Sequence, residues 1–275
     1  MNPYAATRPQ PAIPAVPPLG RTVAIASGKG GVGKTWFAVT LAHALARQGR
    51  RVLLFDADLG LANVDVQLGL TPVHDLGAVV SGRVKMTHAV AHYAPGGFDV
   101  LAGSSGSGAL ATLDAPGVER LLQSLDGLAA DYDHVLLDLG AGLDRAVRRM
   151  SAWADTLLVV ATEEPTSLTD AYAALKLHAA DLPGGDARVI VNQASSPGAA
   201  ARTAATLVKA CTAFLGRAPA VAGHVRRDPH VADAIRRQVP LLTRHPNCPA
   251  SADVEGIAAA LLGPWTHALL HSVAP

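Results

Sequence analysis

The chain has 275 residues, 49% of them hydrophobic and 16% charged, with a formal net charge of +1. That length and apolar content suffice for a full core in one domain, and the near-neutral balance gives no basic excess that would make nucleic acid the default partner. The two cysteines, Cys211 and Cys248, lie far apart and outside any C-x-x-C pair, which suggests no disulfide framework, iron–sulfur cluster or zinc site and fits a reducing cytosol.

Residues 1–20 carry Pro3, Pro9, Pro11, Pro14, Pro17 and Pro18, which predicts an extended, solvated tail. There is no unbroken apolar stretch of the secretory kind, and no later run approaches the roughly 18–20 apolar residues of a membrane span, so the expected location is cytoplasmic. From Arg21 onward, short apolar runs alternate with longer segments of helical length. TVAIAS, RVLLFD, FDVLAG, HVLLDL, TLLVVAT, ARVIVNQ and AVAGHV read as strands, and Thr35 to Arg47, Val118 to Ala130, Leu168 to His178 and Ala200 to Phe214 as helices. The rhythm predicts one doubly wound, mostly parallel α/β sheet over residues 21–262, with 263–275 as an extension.

SGKGGVGKT follows the first strand. Gly28, Gly33, Lys34 and Thr35 satisfy G-x-x-x-x-G-K-[ST] between a strand and a helix, the setting that a phosphate-binding loop requires. Its glycines let backbone N–H groups wrap phosphates, Lys34 reaches the β and γ phosphates, and Thr35 holds Mg²⁺. The segment Gly28, Lys29, Gly30, Gly31, Val32, Gly33, Lys34, Thr35 and Trp36 is therefore the candidate nucleotide cradle. Asp56 and Asp58 sit at the carboxyl end of RVLLFD, where open α/β sheets keep ligands, and Asn63 follows as a candidate for positioning water. HVLLDLGAG ends a strand in Asp138 and runs into Gly140 and Gly142. This reads as a metal-shell carboxylate followed by a switch loop able to track a γ phosphate.

KGGVGKT resembles the deviant Walker A loop of the MinD/ParA ATPases, and LLFDADLGLANVDVQLGL, EEPTSLTDAYAALK and VRRDPHVADAIRRQVPLL resemble its FlhG (FleN) branch, which limits flagellar number and position. The resemblance implies ATP and Mg²⁺ as cofactors and a face-to-face, ATP-dependent homodimer in which Lys29 reaches the partner's nucleotide. It also implies that Asp58 orients or deprotonates water, that Asp56 lies near the metal shell, and that Asn192 hydrogen-bonds adenine. Arg226, Arg227 and Asp228 stand where relatives place a proline before an acidic residue, leaving Arg226 as the candidate on the other wall of the base pocket. The implied partner is a flagellar regulatory or assembly protein. The glutamine- and arginine-containing N-terminal motif with which relatives stimulate the GTPase FlhF is absent from the tail, so that activity is not expected.

Relatives bind membranes through a C-terminal amphipathic helix. Here Ile257, Leu261, Leu262, Trp265, Leu269, Leu270 and Val273 could form an apolar stripe, but no lysine or arginine follows Arg244, so a helix packed on the body is expected ahead of a membrane anchor. Arg145, Arg148 and Arg149 fall on one predicted helix face, solvated or available to DNA phosphates, and Arg236 and Arg237 read alike. This keeps open a ParA-type, DNA-binding carrier. A ligase or amidotransferase of the same superfamily is the remaining alternative. His88 with His92 and His267 with His271 have i, i+4 spacing but no third ligand nearby, and no metal site is assigned to them.

Overall fold

The structure, a computed structural model, describes residues 20–103 and 113–263. In chain order its elements are β1 (Thr22–Ala26), α1 (Lys34–Arg47), β2 (Val52–Ala57), α2 (Val64–Leu68), α3 (Leu76–Val80), α4 (Met86–Ala89), β3 (Val90–Tyr93), β4 (Phe98–Leu101), α5 (Ala115–Ala129) and β5 (His134–Leu139), followed by α6 (Arg145–Trp153), β6 (Thr156–Ala161), α7 (Pro165–Asp181), β7 (Asp186–Ala194), α8 (Pro197–Leu215), β8 (Ala220–Arg226), α9 (Pro229–Arg236), α10 (Leu241–Arg244) and α11 (Pro249–Leu262).

The sheet has eight strands in the order β3-β4-β2-β5-β1-β6-β7-β8, parallel throughout except for β3 against β4. Seven strands are those read from the sequence. The inner ones are apolar on both faces because helices cover both, as in any parallel sheet built from crossovers. Along β1 the period-2 alternation sends Val23 and Ile25 to one core and Ala24 and Ala26 to the other. The first core holds α1 and α11, and the second α5, α6, α7 and α8. Side chains set the helix starts: Asp114, Asp144 and Ser196 each accept a backbone N–H from the first turn they precede.

The eighth strand, β3, is an addition to the sequence reading. It is four residues long, antiparallel and at the sheet edge, and His88 and His92 consequently fall in different elements, α4 and β3, rather than on one helix face. At the other edge β8 pairs with β7 through two register irregularities, and Gly223, whose added Cβ would stand 2.6 Å from Ile257 Cγ1, lets α11 lie close on the strand. Ile257 and Leu261 are buried in that contact, so this part of the C-terminal stripe faces the core. Trp265, Leu269, Leu270, Val273 and the pair His267 and His271 lie outside the described residues, as do most of the proline-rich tail and nearly all of the 263–275 extension. Among the described residues no helix is long and apolar enough to cross a membrane.

The arginines of α6 do not form one free basic face. The helix is flanked by α5 and α7, and neighbouring residues diverge by about 100° around a helix. Arg148 donates to Asp181 at the end of α7 (Nε to Oδ2, 2.8 Å), and Arg149 makes a two-pronged pair with Glu119 of α5 (2.9 Å for each bond). Arg237 likewise donates to Asp233.

One core histidine carries a pH signature. His43 of α1 is buried beside Phe98 with its Nδ1 unpartnered, and burial together with nearby Arg47 lowers its pKa to about 4. Between pH 6.5 and 4 the unfolded chain binds a proton there and the folded chain does not, so stability falls as the pH drops through that window. His43→Leu is expected to remove this loss, a gain of about 1–2 kcal/mol at pH 4 relative to pH 7 once solvent screening is allowed for. Urea denaturation at the two pH values measures it. Equal slopes against pH for the two proteins would refute it.

Candidate active site

β2, β5 and β1 are neighbours in the sheet, so the chain segments leaving their carboxyl ends converge. The glycine loop leaves β1. Gly31 and Gly33 have φ of +81° and +84°, which only glycine adopts without strain. A Cβ on Gly33 would stand 2.6 Å from Asn192 Nδ2, and one on Gly28 only 2.4 Å from the backbone oxygen of Asp170. Nothing stands within 4 Å of a Cβ placed on Gly30 or Gly31, so that side of the loop is open. α1 has no side-chain cap and no acidic residue in its first turn. Its leading N–H groups therefore remain available to an anion, with the helix dipole aligned to favour one.

From the β7 side, Asn192 donates its Nδ2 to the Val32 carbonyl at 2.8 Å and Gln193 its Nε2 to the Gly31 carbonyl at 3.3 Å. Asn192 is buried, whereas Gln193 is partly exposed and held at a left-handed φ of +55°. The side chain of Trp36 is buried in the core, leaving only its backbone to face the loop. Arg226 is drawn to α11: its guanidinium grips Asp253 (2.7 and 2.8 Å) and the Pro249 carbonyl at 3.2 Å.

Beneath the loop, Lys34 is 7% exposed and its Nζ lies 2.6 Å from Asp138 Oδ1. Asp138 and Asp56 are direct partners in the β5/β2 register and both are fully buried. Asp56 accepts backbone N–H groups from Asp58 (3.3 Å), Asn63 and Val64 (2.9 Å each), which fixes the Asp58 loop over the strand end. Burial first, and then the neighbouring Asp138 carboxylate, raise the Asp56 pKa to about 7. Burial also pushes Asp138 up, opposed by the Lys34 ammonium and the Thr35 side chain. Of the two buried carboxylates Lys34 pairs with Asp138, and Asp138 Oδ2 has no hydrogen-bond partner. A hard divalent cation beside Thr35, Asp56 and Asp138 fits that deficit of positive charge and that unpaired oxygen.

Asp58 Oδ1 accepts from Gly60 N (3.2 Å) and Leu61 N (2.9 Å), and a Cβ on Gly140 would stand 3.3 Å from the same oxygen. Asp58, Gly140 and Asp144 therefore line one cleft of about 320 Å³. Gly142, at a φ of +112°, donates to the Ser27 carbonyl at 3.1 Å, tying the loop after β5 to the end of β1.

Lys29 is not in this pocket. Its Nζ lies 2.6 Å from Glu164 Oε2 and 3.1 Å from Thr166 Oγ1, at the start of α7. The ammonium holds the Glu164 carboxyl below the usual carboxylate range. The acceptor was missed in the sequence, although EEP immediately before a helical run marks an exposed helix start where an acidic side chain is favoured.

The matching family model settles the relationship: that of the CobQ/CobB/MinD/ParA nucleotide-binding domain covers residues 23–241. The chain belongs to this family. Antiactivator FleN of Pseudomonas aeruginosa is 38% identical over 86% of this chain and 85% of its own length. The flagellum site-determining protein YlxH of Helicobacter pylori is 35% identical over 57% of this chain and 53% of its own. Among solved structures, the MinC:MinD cell division complex of Aquifex aeolicus superposes with a TM-score of 0.72 and 27% identity, over 90% of this chain and 97% of that one. The fold is thus that of the MinD/ParA P-loop ATPases, and the protein is an ATPase of that kind.

Proposed function

We propose that the protein is an ATP-dependent dimerising switch of the FleN type, which hydrolyses ATP slowly and regulates flagellar number or placement through a client protein. The observation that carries this reading is the division of labour between the loop's two lysines. Lys34 faces the buried carboxylates of its own site, while Lys29 stands outside it on Glu164.

Nucleotide enters over the open side of Gly30 and Gly31, and backbone N–H groups of Gly33, Lys34, Thr35 and Trp36 bind its phosphates. Lys34 exchanges the Asp138 carboxylate for the β and γ phosphates. Thr35, Asp56 and Asp138 hold Mg²⁺, which when bound neutralises phosphate charge. Asn192 and Arg226 flank the base. Lys29 leaves Glu164 for the nucleotide of the partner copy, so that the site is complete only in the dimer. Asp58 orients the attacking water and accepts its proton, and the segment through Gly140 and Gly142 moves as the γ phosphate departs. The client belongs to the flagellar regulatory or assembly apparatus, a reading supported by the similarity to FleN and YlxH. The protein acts in the cytoplasm or at the inner face of the membrane. Because Arg148 and Arg149 are already paired within the chain, a DNA-carrier role has less support than the switch.

The test is the oligomeric state of Asp58→Ala, in which hydrolysis is blocked, measured by light scattering. A monomer with ADP and a dimer with ATP are expected. A nucleotide-independent state, whether monomer or dimer, would overturn the switch reading.

A further inference from the structure

Away from the phosphate loop, the starts of α9 and α11 meet behind the end of β8. Asp228, almost wholly buried, caps both helices: Oδ1 accepts the His230 N–H at 2.9 Å, and Oδ2 accepts the Ala250 N–H at 3.1 Å. Capping accounts for the carboxylate but not for what faces it. The His230 imidazole turns back so that Nδ1 lies 2.7 Å from Asp228 Oδ1, and the buried Cys248 presents its thiol to the same point. A serine or aspartate at position 248 would cap α11 better, since Cys248 gives α11 no side-chain cap and its Sγ meets the Ser251 hydroxyl there, at 3.3 Å. One oxygen, one nitrogen and one sulfur, from Asp228, His230 and Cys248, all stand within 4.8 Å of one another.

We propose that Asp228, His230 and Cys248 form a binding site for a borderline-soft divalent cation of the zinc class. Mixed sulfur, nitrogen and oxygen donors select zinc, or cobalt in its place, over the all-oxygen ions magnesium and calcium. Donors at zinc bond lengths stand roughly 3.3–3.8 Å apart around a tetrahedron, so the thiol closes by up to about 1 Å while the Asp228 and His230 donors open from 2.7 Å. The cation takes the place of the hydrogen between Asp228 Oδ1 and His230 Nδ1, leaving the neutral imidazole with its proton on Nε2, and any further ring proton and the thiol proton pass to solvent.

The surroundings support this assignment. Asp228 Oδ2 keeps its bond to Ala250 N, which fixes the carboxylate. The His245 ring packs 4.4 Å from that of His230 and is itself held through Nε2 on Asp233 at 2.9 Å. His230 is 47% exposed at its side chain, which gives a path of entry and leaves the fourth position to water. The spacing of the two cysteines suggests no such site because its other ligands come from a carboxylate and an imidazole that precede Cys248 by a whole helix pair. A bound ion would clip α9 to α11 beside the end of β8, where Arg226 lies, and so brace one side of the proposed nucleotide site.

The experiment uses the full chain, stripped with a chelator and saturated with Mg²⁺ and ADP so that the phosphate loop is filled, then titrated with Co²⁺. One equivalent is expected to bind with a thiolate-to-cobalt absorption band, to be displaced by Zn²⁺, and to raise the melting temperature. The band should vanish in Cys248→Ser and persist in Cys211→Ser. In His230→Gln affinity should fall at least about 10-fold. Absence of a thiolate band in the unmutated chain, an undiminished band in Cys248→Ser, or unchanged affinity in His230→Gln would overturn the site. Should Cys248→Ser fail to fold, the His230→Gln result decides.

Discussion

Lys34→Met is expected to abolish nucleotide binding and to destabilise the free protein. The ammonium is 7% exposed and 2.6 Å from a fully buried carboxylate, so its removal leaves Asp138 beside Asp56 with no countercharge. Breaking one side of a buried pair costs about 3–5 kcal/mol, and the lower end applies here because Asp138, already pushed toward its neutral form by burial, can take up a proton. Nucleotide affinity should fall at least ~30-fold, the effect of removing one desolvated charge from a phosphate contact. Calorimetric ATP titration and denaturant unfolding read the two effects separately. Adding Asp138→Asn should recover at least half of the lost stability without restoring ATP binding, since the two residues share one interaction. Retained ATP affinity in Lys34→Met would remove Lys34 from the phosphate site.

Lys29→Ala should leave ATP binding nearly intact and eliminate its consequence. In the Asp58→Ala background ATP should no longer produce a dimer, and in the otherwise unmutated protein turnover should fall roughly 10³-fold, the scale of a cation supplied in trans. The resting contact gives a second arm to the test. Glu164 holds Lys29 at 2.6 Å with Thr166 behind it, so dimer formation has to break that pair. Glu164→Gln should therefore dimerise at a few-fold lower ATP concentration, with its affinity for ADP unchanged. Because Glu164 is exposed, the gain is expected to shrink as salt is raised. If Lys29→Ala weakens ATP binding and leaves the dimer intact, Lys29 serves its own nucleotide and the trans assignment fails.

The inner strands that the sequence announced are buried on both sides, and burial on both sides writes itself as uninterrupted runs such as VLLF and VLLDL, whereas AVAGHV of the edge strand β8 is partly exposed. VAHY of β3 lacked that signature because it is short, partly exposed and ends a four-residue helix. The short helices α2, α3, α4 and α10 have too few residues to display a 3.6-residue period. At the site, Gly28 to Thr35, Asp56, Asp58 and Asp138 were legible because motif spacing and strand ends place them together without knowledge of packing. Long-range partnerships were not. The Lys29 to Glu164 contact, the grip of Arg226 on Asp253 and the convergence of Asp228 with Cys248 join residues that only the crossovers bring together. The α6 arginines show the same gap, since a helical wheel displays faces but not the acidic residues of α5 and α7 that meet them.

The two rims of the sheet bear on how copies of this chain can meet. A long, regular outer strand would invite a second molecule to continue the sheet, and further molecules after it. Here one rim ends in four residues running against their neighbour, and the other is a strand whose ladder slips twice and whose Gly223 is overlain by Ile257. Neither offers a clean row of backbone groups, so side-by-side growth into filaments is blocked at both ends. In the proposed switch, association falls instead to the loop face, as a pair of copies whose timing follows what the loops have bound.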